Sequence, residues 1–374
     1  MMKKLVLVGA GHAHARVLLE LARQPSAEID VVLISPAPLA PYSGMVPGWM
    51  AGHYHWEACC IDFASLCRRA GARLQLGVVQ AIDARNRMLW IASGESFQFD
   101  ALSLDIGSTA TPPASTTVPV MAMRPLGLLK IQWDALRSTV TNLRAGSPFK
   151  VLVVGGGAAG VEAVFATRRQ LARWAPHVAV DCVLATSGDT LLPALAPGAV
   201  SRTNALLDDK GIRVVYGFWA SHFTIGSVVS QDGRSLEADV ALWAGGAQAH
   251  GLPGASGLAC DDSGFIRVDQ YLRSVSHPEI FAAGDCASWQ SPLPKAGVFA
   301  VRMGPVLAYN LRAYLLGLPL KAFRPQRRYL VMLGTGDEHA VAAWGPFAWQ
   351  GNWVWRWKRR IDQRFLKQYN HVDI

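Results

Sequence analysis

Two short glycine clusters carry the first chemical signal in the chain. One reads Gly9-Ala10-Gly11-His12-Ala13-His14 and the other Gly155-Gly156-Gly157-Ala158-Ala159-Gly160. Each follows an apolar β-type run, Leu5 to Val8 or Val151 to Val154, and precedes a helical pattern. Glycines at a strand-to-helix turn let the backbone come close to an anion, and the helix start aims unpaired N–H groups at it. The chemistry implied is the holding of a dinucleotide pyrophosphate. The second cluster is a complete G-x-G-x-x-G. In the first, His14 stands where a third glycine or alanine is usual. One such cluster is weak evidence, whereas two at strand–helix junctions are moderate to strong.

An acidic residue at the end of the following strand would bind a ribose diol and repel a 2′-phosphate. Neither unit has one. The first strand ends at Ser35-Pro36 and the second at Ala185-Thr186-Ser187. The choice between NADH and NADPH therefore stays open.

Other reactive residue types form no set of their own. The six cysteines include a vicinal pair, Cys59-Cys60, but no C-x-x-C and no zinc-like array. A disulfide framework is not expected in so long a chain, and a reducing compartment suits it better. His12 with His14, and His53 with His55, are each two apart, with no carboxylate or thiol to complete a metal site. No metal is expected.

The elements that must position the clusters read as two βαβ beginnings. The first has a strand at Leu5 to Val8, a helix through Val17, Leu18 and Leu21, and a second strand at Val31 to Ile34. The second repeats this from Val151, with its next strand near Cys182 to Leu184. The fold class expected is α/β. Two Rossmann-like, three-layer ββα dinucleotide-binding domains are nested, the second inserted in the first, with a C-terminal α+β segment behind them. The divisions are 1–114 with 252–325, then 115–251, then 326–374.

A length of 374 residues suits about two to three domains. The hydrophobic share of 51% and charged share of 17% describe a folded chain rather than a disordered one. The start, MMKKLVLVGAG, looks briefly like a signal peptide, but its apolar run breaks at Gly9. No stretch approaches the roughly 18 apolar residues of a spanning helix, so the expectation is a soluble or peripheral protein. The net charge of +9 concentrates at the end: ten basic residues against four acidic from Lys321 onward. A basic tail points to an anionic surface or partner. On a helical projection of 352–369, Trp353, Val354, Trp357, Ile361, Phe365 and Tyr369 fall on one side. Arg356, Arg359, Arg360, Arg364 and Lys367 fall on the other. That is the composition of an interfacial helix on an anionic membrane, or of a final lid packing its aromatic face onto the protein's own body.

Four segments in order, GAG near the start, ALSLDIGST at 101–109, GGGAAGVE at 155–162 and FAAGDCASW at 281–289, resemble the FAD/NAD(P)-linked pyridine nucleotide-disulfide oxidoreductase superfamily. Within it the chain is similar to the type II NADH dehydrogenase and sulfide:quinone reductase branch. Further segments, PYSGMVPGWMAGHY at 41–54, PKAGVFAVRMGP at 294–305 and WVWRWKRRID at 353–362, resemble the dehydrogenase-like flavoprotein found alone or fused to selenide, water dikinase.

The resemblance implies FAD in the first unit and NADH or NADPH in the second. Gly9, Gly11 and His12 would lie at the FAD pyrophosphate, and Ser35 and Pro36 near its ribose. Gly107 would let the chain pass the cofactor, and Asp285 would hydrogen-bond the ribityl chain. Lys295 and Ala296 would lie by the isoalloxazine edge, with Lys295 placed to stabilise the reduced flavin. Gly155, Gly157 and Gly160 would take the nicotinamide pyrophosphate. Gly245 lies in the strand-end turn beside the nicotinamide, and Glu162 would point at the nicotinamide–flavin contact. The catalytic residues implied are Glu162 and Lys295. Asp105 departs from the small residue usual at its position.

The activity expected is hydride transfer from NAD(P)H to FAD and onward to a small acceptor. A quinone is one candidate, although Gly297, Val298 and Arg302 replace the A-Q-x-x-x-Q signature of the type II enzymes. The C-x4-C dithiol of disulfide reductases is missing from the first unit. Two alternatives stand beside this reading: a sulfide- or selenide-oxidising flavoprotein, and a non-catalytic flavin module for a selenium-metabolism partner. A homodimer is left open, nucleic acid is not an expected partner, and the location expected is cytoplasmic or peripheral on the inner face of the cell membrane.

Overall fold

The computed structural model describes residues 2–115, 117–291 and 293–370. Two five-stranded parallel sheets form its two lobes. In the first the spatial order is Ile280–Ala282, Ala101–Leu104, Lys3–Val8, Ile29–Ser35 and Arg73–Leu76. In the second it is Val120–Ala122, Val240–Trp243, Pro148–Val154, Ala179–Ala185 and Ile212–Val215. The central strands are near-continuous apolar runs because both faces are covered, as parallel sheets require. Leu5 to Val8 and Val151 to Val153 are all buried. Strand Ile280–Ala282 pairs with Ala101–Leu104, so the chain returns to the first sheet after completing the second.

Each lobe adds a three-stranded antiparallel sheet. In the first this is Val79–Asp83, Met88–Ile91 and Ser96–Gln98; in the second, Ala220–Thr224, Ser227–Ser230 and Ser235–Glu237. The expected three-layer arrangement is therefore present twice. The strands run longer than their apolar cores suggested: Ile29–Ser35 rather than Val31 to Ile34, and Ala179–Ala185 rather than Cys182 to Leu184.

Behind the lobes, strands Leu330–Gly334, Ala340–Trp344 and Phe347–Gly351 form an antiparallel sheet, followed by a tail helix, Asn352–Asn370. The helix is rich in Arg, Lys and Gln and free of Pro and Gly, which favours its length. Val354 and Trp355 pack on Ala340 and Ala342, while Leu366 and Tyr369 enter the core of the first lobe. Arg69 caps the far end by donating to the Tyr369 carbonyl at 2.7 Å.

The faces of this helix differ from the projection. The packed side carries Val354, Trp355, Lys358, Asp362, Leu366 and Tyr369. Trp353, Trp357 and Ile361 are exposed, on the surface that also carries Arg356, Arg359 and Arg360. A buried Lys–Asp pair on the inner face rotates the true interface away from the side that hydrophobicity alone selects. No helix among the described residues is long and apolar enough to cross a membrane.

Candidate active site

The first glycine turn lies at the carboxyl end of strand Lys3–Val8 and opens the helix His12–Arg23. Gly9 has φ +95°, and a Cβ there would lie 2.4 Å from the Asp105 carbonyl oxygen. Only glycine suits that conformation and that approach. A Cβ on Gly11 would meet the Asp105 carboxylate at 2.1 Å. His14 replaces the third glycine without opening the turn. Its Nδ1 lies 2.7 Å from the Gly9 carbonyl and its Nε2 lies 2.8 Å from the Ser103 hydroxyl. A carbonyl only accepts, so Nδ1 carries the proton and the serine donates to Nε2. Burial pulls the His14 pKa down to about 4, which keeps this ring neutral.

His12, at the first position of the same helix, is held differently. Its ring lies 5.4 Å from that of Tyr42 and 5.9 Å from that of Phe365 in the tail helix. Its Nε2 is buried and has no hydrogen-bond partner. Nearby, Ser35 donates to the Ala37 carbonyl at 2.8 Å, and Pro36 is exposed. Gly107 has φ +69° and open space where a Cβ would stand.

Asp285 accepts from Nη1 of Arg124 at 2.5 Å and from the Ser108 hydroxyl at 3.3 Å. The same guanidinium donates to Ser108, and its Nη2 donates to the Lys295 carbonyl at 3.4 Å. Arg124 enters from the second lobe, just after strand Val120–Ala122, and ties together three loops of the first lobe. Lys295 itself turns away from them. Its ammonium donates to the Ala287 carbonyl at 2.7 Å and lies 3.7 Å over the Phe265 ring. Ala296 is the N-cap of helix Gly297–Leu315.

The second turn repeats the first. Gly155 has φ +130°, and its Cβ would lie 2.3 Å from the Ala244 carbonyl; a Cβ on Gly160 would lie 1.8 Å from the Gly155 carbonyl. Gly157 is the N-cap of helix Ala158–Trp174, with open space beside it. Gly245 packs against the Trp243 indole, where a Cβ would come within 2.7 Å of Nε1.

Glu162, one turn into that helix, faces a pocket that the first lobe and the tail helix complete. Its Oε1 accepts from the Gly334 amide at 2.8 Å. The lining includes Gly44, Pro47 and Tyr54 from the first lobe, and Trp355, Lys358 and Asp362 from the tail helix. Burial pushes the Glu162 carboxyl up to about 7 and outweighs the opposing pull of Lys358. Lys358 donates to Asp362 at 2.8 Å and to the Gly44 carbonyl at 2.6 Å. The Tyr42 hydroxyl faces Asp362 and helps to hold its carboxylate.

Residues 3–304 match the pyridine nucleotide-disulphide oxidoreductase family. The chain belongs to that family. An NADH dehydrogenase-like protein of Mycobacterium tuberculosis is 28% identical over 360 residues, covering 91% of this chain and 87% of the relative. Among solved structures, the sulfide:quinone oxidoreductase of Aquifex aeolicus superposes with a TM-score of 0.80 at 16% identity, covering 98% of this chain and 92% of that one. NDH2 of Plasmodium falciparum, in complex with NADH, does so with a TM-score of 0.74 at 14% identity and full coverage of both chains.

As a pyridine nucleotide-disulphide oxidoreductase, the protein is an enzyme with FAD and a nicotinamide nucleotide as cofactors. Its two turns suit such groups: in each, glycines let the backbone close tightly at the strand–helix junction where a Cβ would clash, and the first has an orphaned nitrogen on His12. The family name does not extend to its cysteines. All six are free, and burial pushes the thiols of Cys59, Cys60 and Cys182 up to about 12.

Three site residues escaped sequence reasoning. Arg124 sits in an unremarkable AMRPL stretch, and Lys358 and Asp362 enter the tail's charge count but neither face of the helical projection. For the pair, the i,i+4 spacing of opposite charges was the one available signal.

Proposed function

We propose that the enzyme passes hydride from NAD(P)H, held at Gly155, Gly157 and Gly160, to FAD, held at Gly9, Gly11 and His12, and then to a small acceptor. The observation that carries this is the convergence at Glu162. The helix of one cradle, the Gly44–Tyr54 loop of the other lobe and the tail helix meet in one pocket. FAD, when bound, supplies the two-electron step between nicotinamide and acceptor. The chain's own residues orient it and handle protons. Asp285, fixed by Arg124, would receive the ribityl hydroxyls, and the Gly107 turn leaves room for the cofactor. Glu162 keeps Oε1 on the Gly334 amide, which leaves Oε2 to hold a proton close to neutral pH. Lys295 would act on the flavin edge through its charge, from its seat over Phe265.

A quinone is the acceptor we favour. The tail helix supports this by closing the pocket with Trp355 and by presenting Trp353, Trp357 and Ile361 beside Arg356 and Arg360. Exposed aromatics interleaved with cations suit an anionic membrane surface, where quinones reside. A thiol-based sulfide or selenide oxidation has weaker support, because thiols held near 12 are poor nucleophiles at neutral pH.

Anaerobic mixing tests the proposal. NADH or NADPH should bleach the yellow protein, and a short-chain quinone should restore the colour. Bleaching by sulfide but by neither nicotinamide would reverse the reading.

A further inference from the structure

The two cradles are close copies in backbone, which makes a carboxyl present in only one of them conspicuous. In the first, the Asp105 amide donates to Val8 at 2.9 Å, and in the second the Ala244 amide donates to Val154 at 2.8 Å. The carbonyls of Asp105 and Ala244 then press on Gly9 and Gly155 in the same way. Asp105 is therefore the structural counterpart of an alanine.

Its carboxylate occupies the start of the first helix. Oδ2 accepts from the amides of Ala13 at 2.8 Å and His14 at 3.1 Å, and Oδ1 lies 2.6 Å from where a Gly284 Cβ would stand. In the second cradle, the amides of Ala158, Ala159 and Gly160 meet no acceptor among the described residues. Among the described residues the first thus offers an anion only the amides of Gly11 and His12, one residue from a carboxyl that is 4% exposed and makes no ion pair with a described cation. His12 Nε2, buried and unpartnered in the same turn, marks the place as built for a further polar group.

We propose that Asp105 couples FAD binding to proton uptake: the pyrophosphate and this carboxyl share one helix start, so the cofactor binds tightly when Asp105 takes a proton from solvent and loosens when it is ionised. The balance is simple. Where the empty cradle holds Asp105 ionised, well above pH 7, one proton moves from water to its carboxyl for each FAD bound, and no bond to the cofactor forms or breaks. Two like charges side by side in a buried site cannot both be ionised at low cost. A protonated carboxyl also gains an O–H donor for a phosphate oxygen.

The surroundings leave Asp105 as the group that titrates near neutrality. Burial pushes it up to about 7, with Asp285 adding to the rise against the two amides. From the helix whose start it occupies, His12 and His14 are held near 4. From the Gly284 loop, Cys286 is pushed up to about 12, and Asp285 is tied to Arg124. Glu162, also near 7, comes from the helix of the second cradle and faces the separate pocket at the tail helix.

The inference rests on FAD occupying the first cradle, and the test separates the two. FAD retention is read from the fluorescence of released cofactor after dilution of the holoprotein at pH 6.5 and 8.5. The wild type should hold FAD on the order of tenfold more weakly at the higher pH. Asp105→Asn, which still accepts from the amides, and Asp105→Ser should show no such slope. Should neither variant fold, proton uptake by the wild type on binding FAD in weak buffer at pH 8.5 gives the same answer. A wild-type affinity equal at both pH values, a slope that the variants keep, or binding without proton uptake overturns the inference alone. A protein that takes up no FAD fails the proposed function instead.

Discussion

Lys358 and Asp362, one turn apart on the tail helix, form an ion pair at 2.8 Å with side chains only 8% and 7% exposed. The pair is anchored through Lys358, which donates to the Gly44 carbonyl, and Asp362 faces the Tyr42 hydroxyl. It therefore fastens the helix to the loop that walls the proposed reaction pocket.

Removing one partner leaves a buried charge alone. Lys358→Met should lower stability by about 3–5 kcal/mol, while Lys358→Met with Asp362→Leu should recover much of the loss, since two apolar residues carry no desolvation penalty. Urea midpoints of the three proteins check this. A double variant no more stable than the single would mean that the pair matters through its anchors rather than its charge.

Glu162 titrates in a useful range because burial outweighs Lys358. A carboxyl at about 7 is protonated below that pH and ionised above it. As the proton holder of the pocket, it should give quinone reduction a rate that falls as pH rises through about 7. Glu162→Gln should lose the inflection and run roughly 100-fold slower, as expected for loss of a general acid. Lys358→Met should move the inflection upward, because the charge opposing the rise is gone. Initial rates from pH 5.5 to 8.5 read all three.

The glycine turns were legible from sequence because their requirement is local: strand, positive φ, close carbonyl, helix. Gly9 and Gly155 declare it through their neighbours alone. His14 was legible only as a departure. Its role depends on Ser103, which is 89 positions away and reaches it only through strand pairing. Arg124 and Asp285 are 161 apart and come from different lobes, so no spacing rule could join them. The tail helix misled because hydrophobicity scales place lysine and aspartate in water, whereas here each buries the other.

His14 has a stability signature of its own. Burial lowers its pKa from 6.5 to about 4, so the unfolded chain takes up the proton first as pH falls. The stability it contributes is complete above 6.5 and is lost progressively toward 4, by roughly 3 kcal/mol in all. His14→Asn should weaken this acid sensitivity while costing about 1–3 kcal/mol at pH 7 through the partners left unpaired at Gly9 and Ser103. Denaturation curves at pH 5 and 7 separate the two effects. An unchanged difference between those curves would place the acid sensitivity elsewhere, His12 being the next candidate.

Arg124 links the nucleotide lobe to Asp285, Ser108 and Lys295. Without it, Asp285 loses its cation and its orientation. Arg124→Ala should weaken FAD retention about tenfold or more, and Arg124→Lys should restore part of it by returning the charge without the forked geometry. Retention by Arg124→Ala equal to wild type would assign Arg124 to lobe docking alone.

The outer face of the tail helix makes a separable prediction. Trp353 and Trp357 lie stacked 6.2 Å apart, 49% and 38% exposed, so they contribute little to folding. Exposed tryptophans beside Arg356 and Arg360 would enter the headgroup region of an anionic bilayer, with the arginines on the phosphates. The protein should therefore sediment with vesicles containing phosphatidylglycerol and much less with pure phosphatidylcholine, and added salt should weaken the binding. Trp353→Ser with Trp357→Ser should abolish the salt-resistant part, and Arg356→Gln with Arg360→Gln the salt-sensitive part. Each pair should shift stability by less than about 0.5 kcal/mol, as exposed positions do. The surface pairs should leave reduction of a water-soluble quinone unchanged, because neither touches the pocket at Glu162. Equal binding to neutral and anionic vesicles, or none to either, would remove the membrane from the proposed function and leave the hydride chemistry standing.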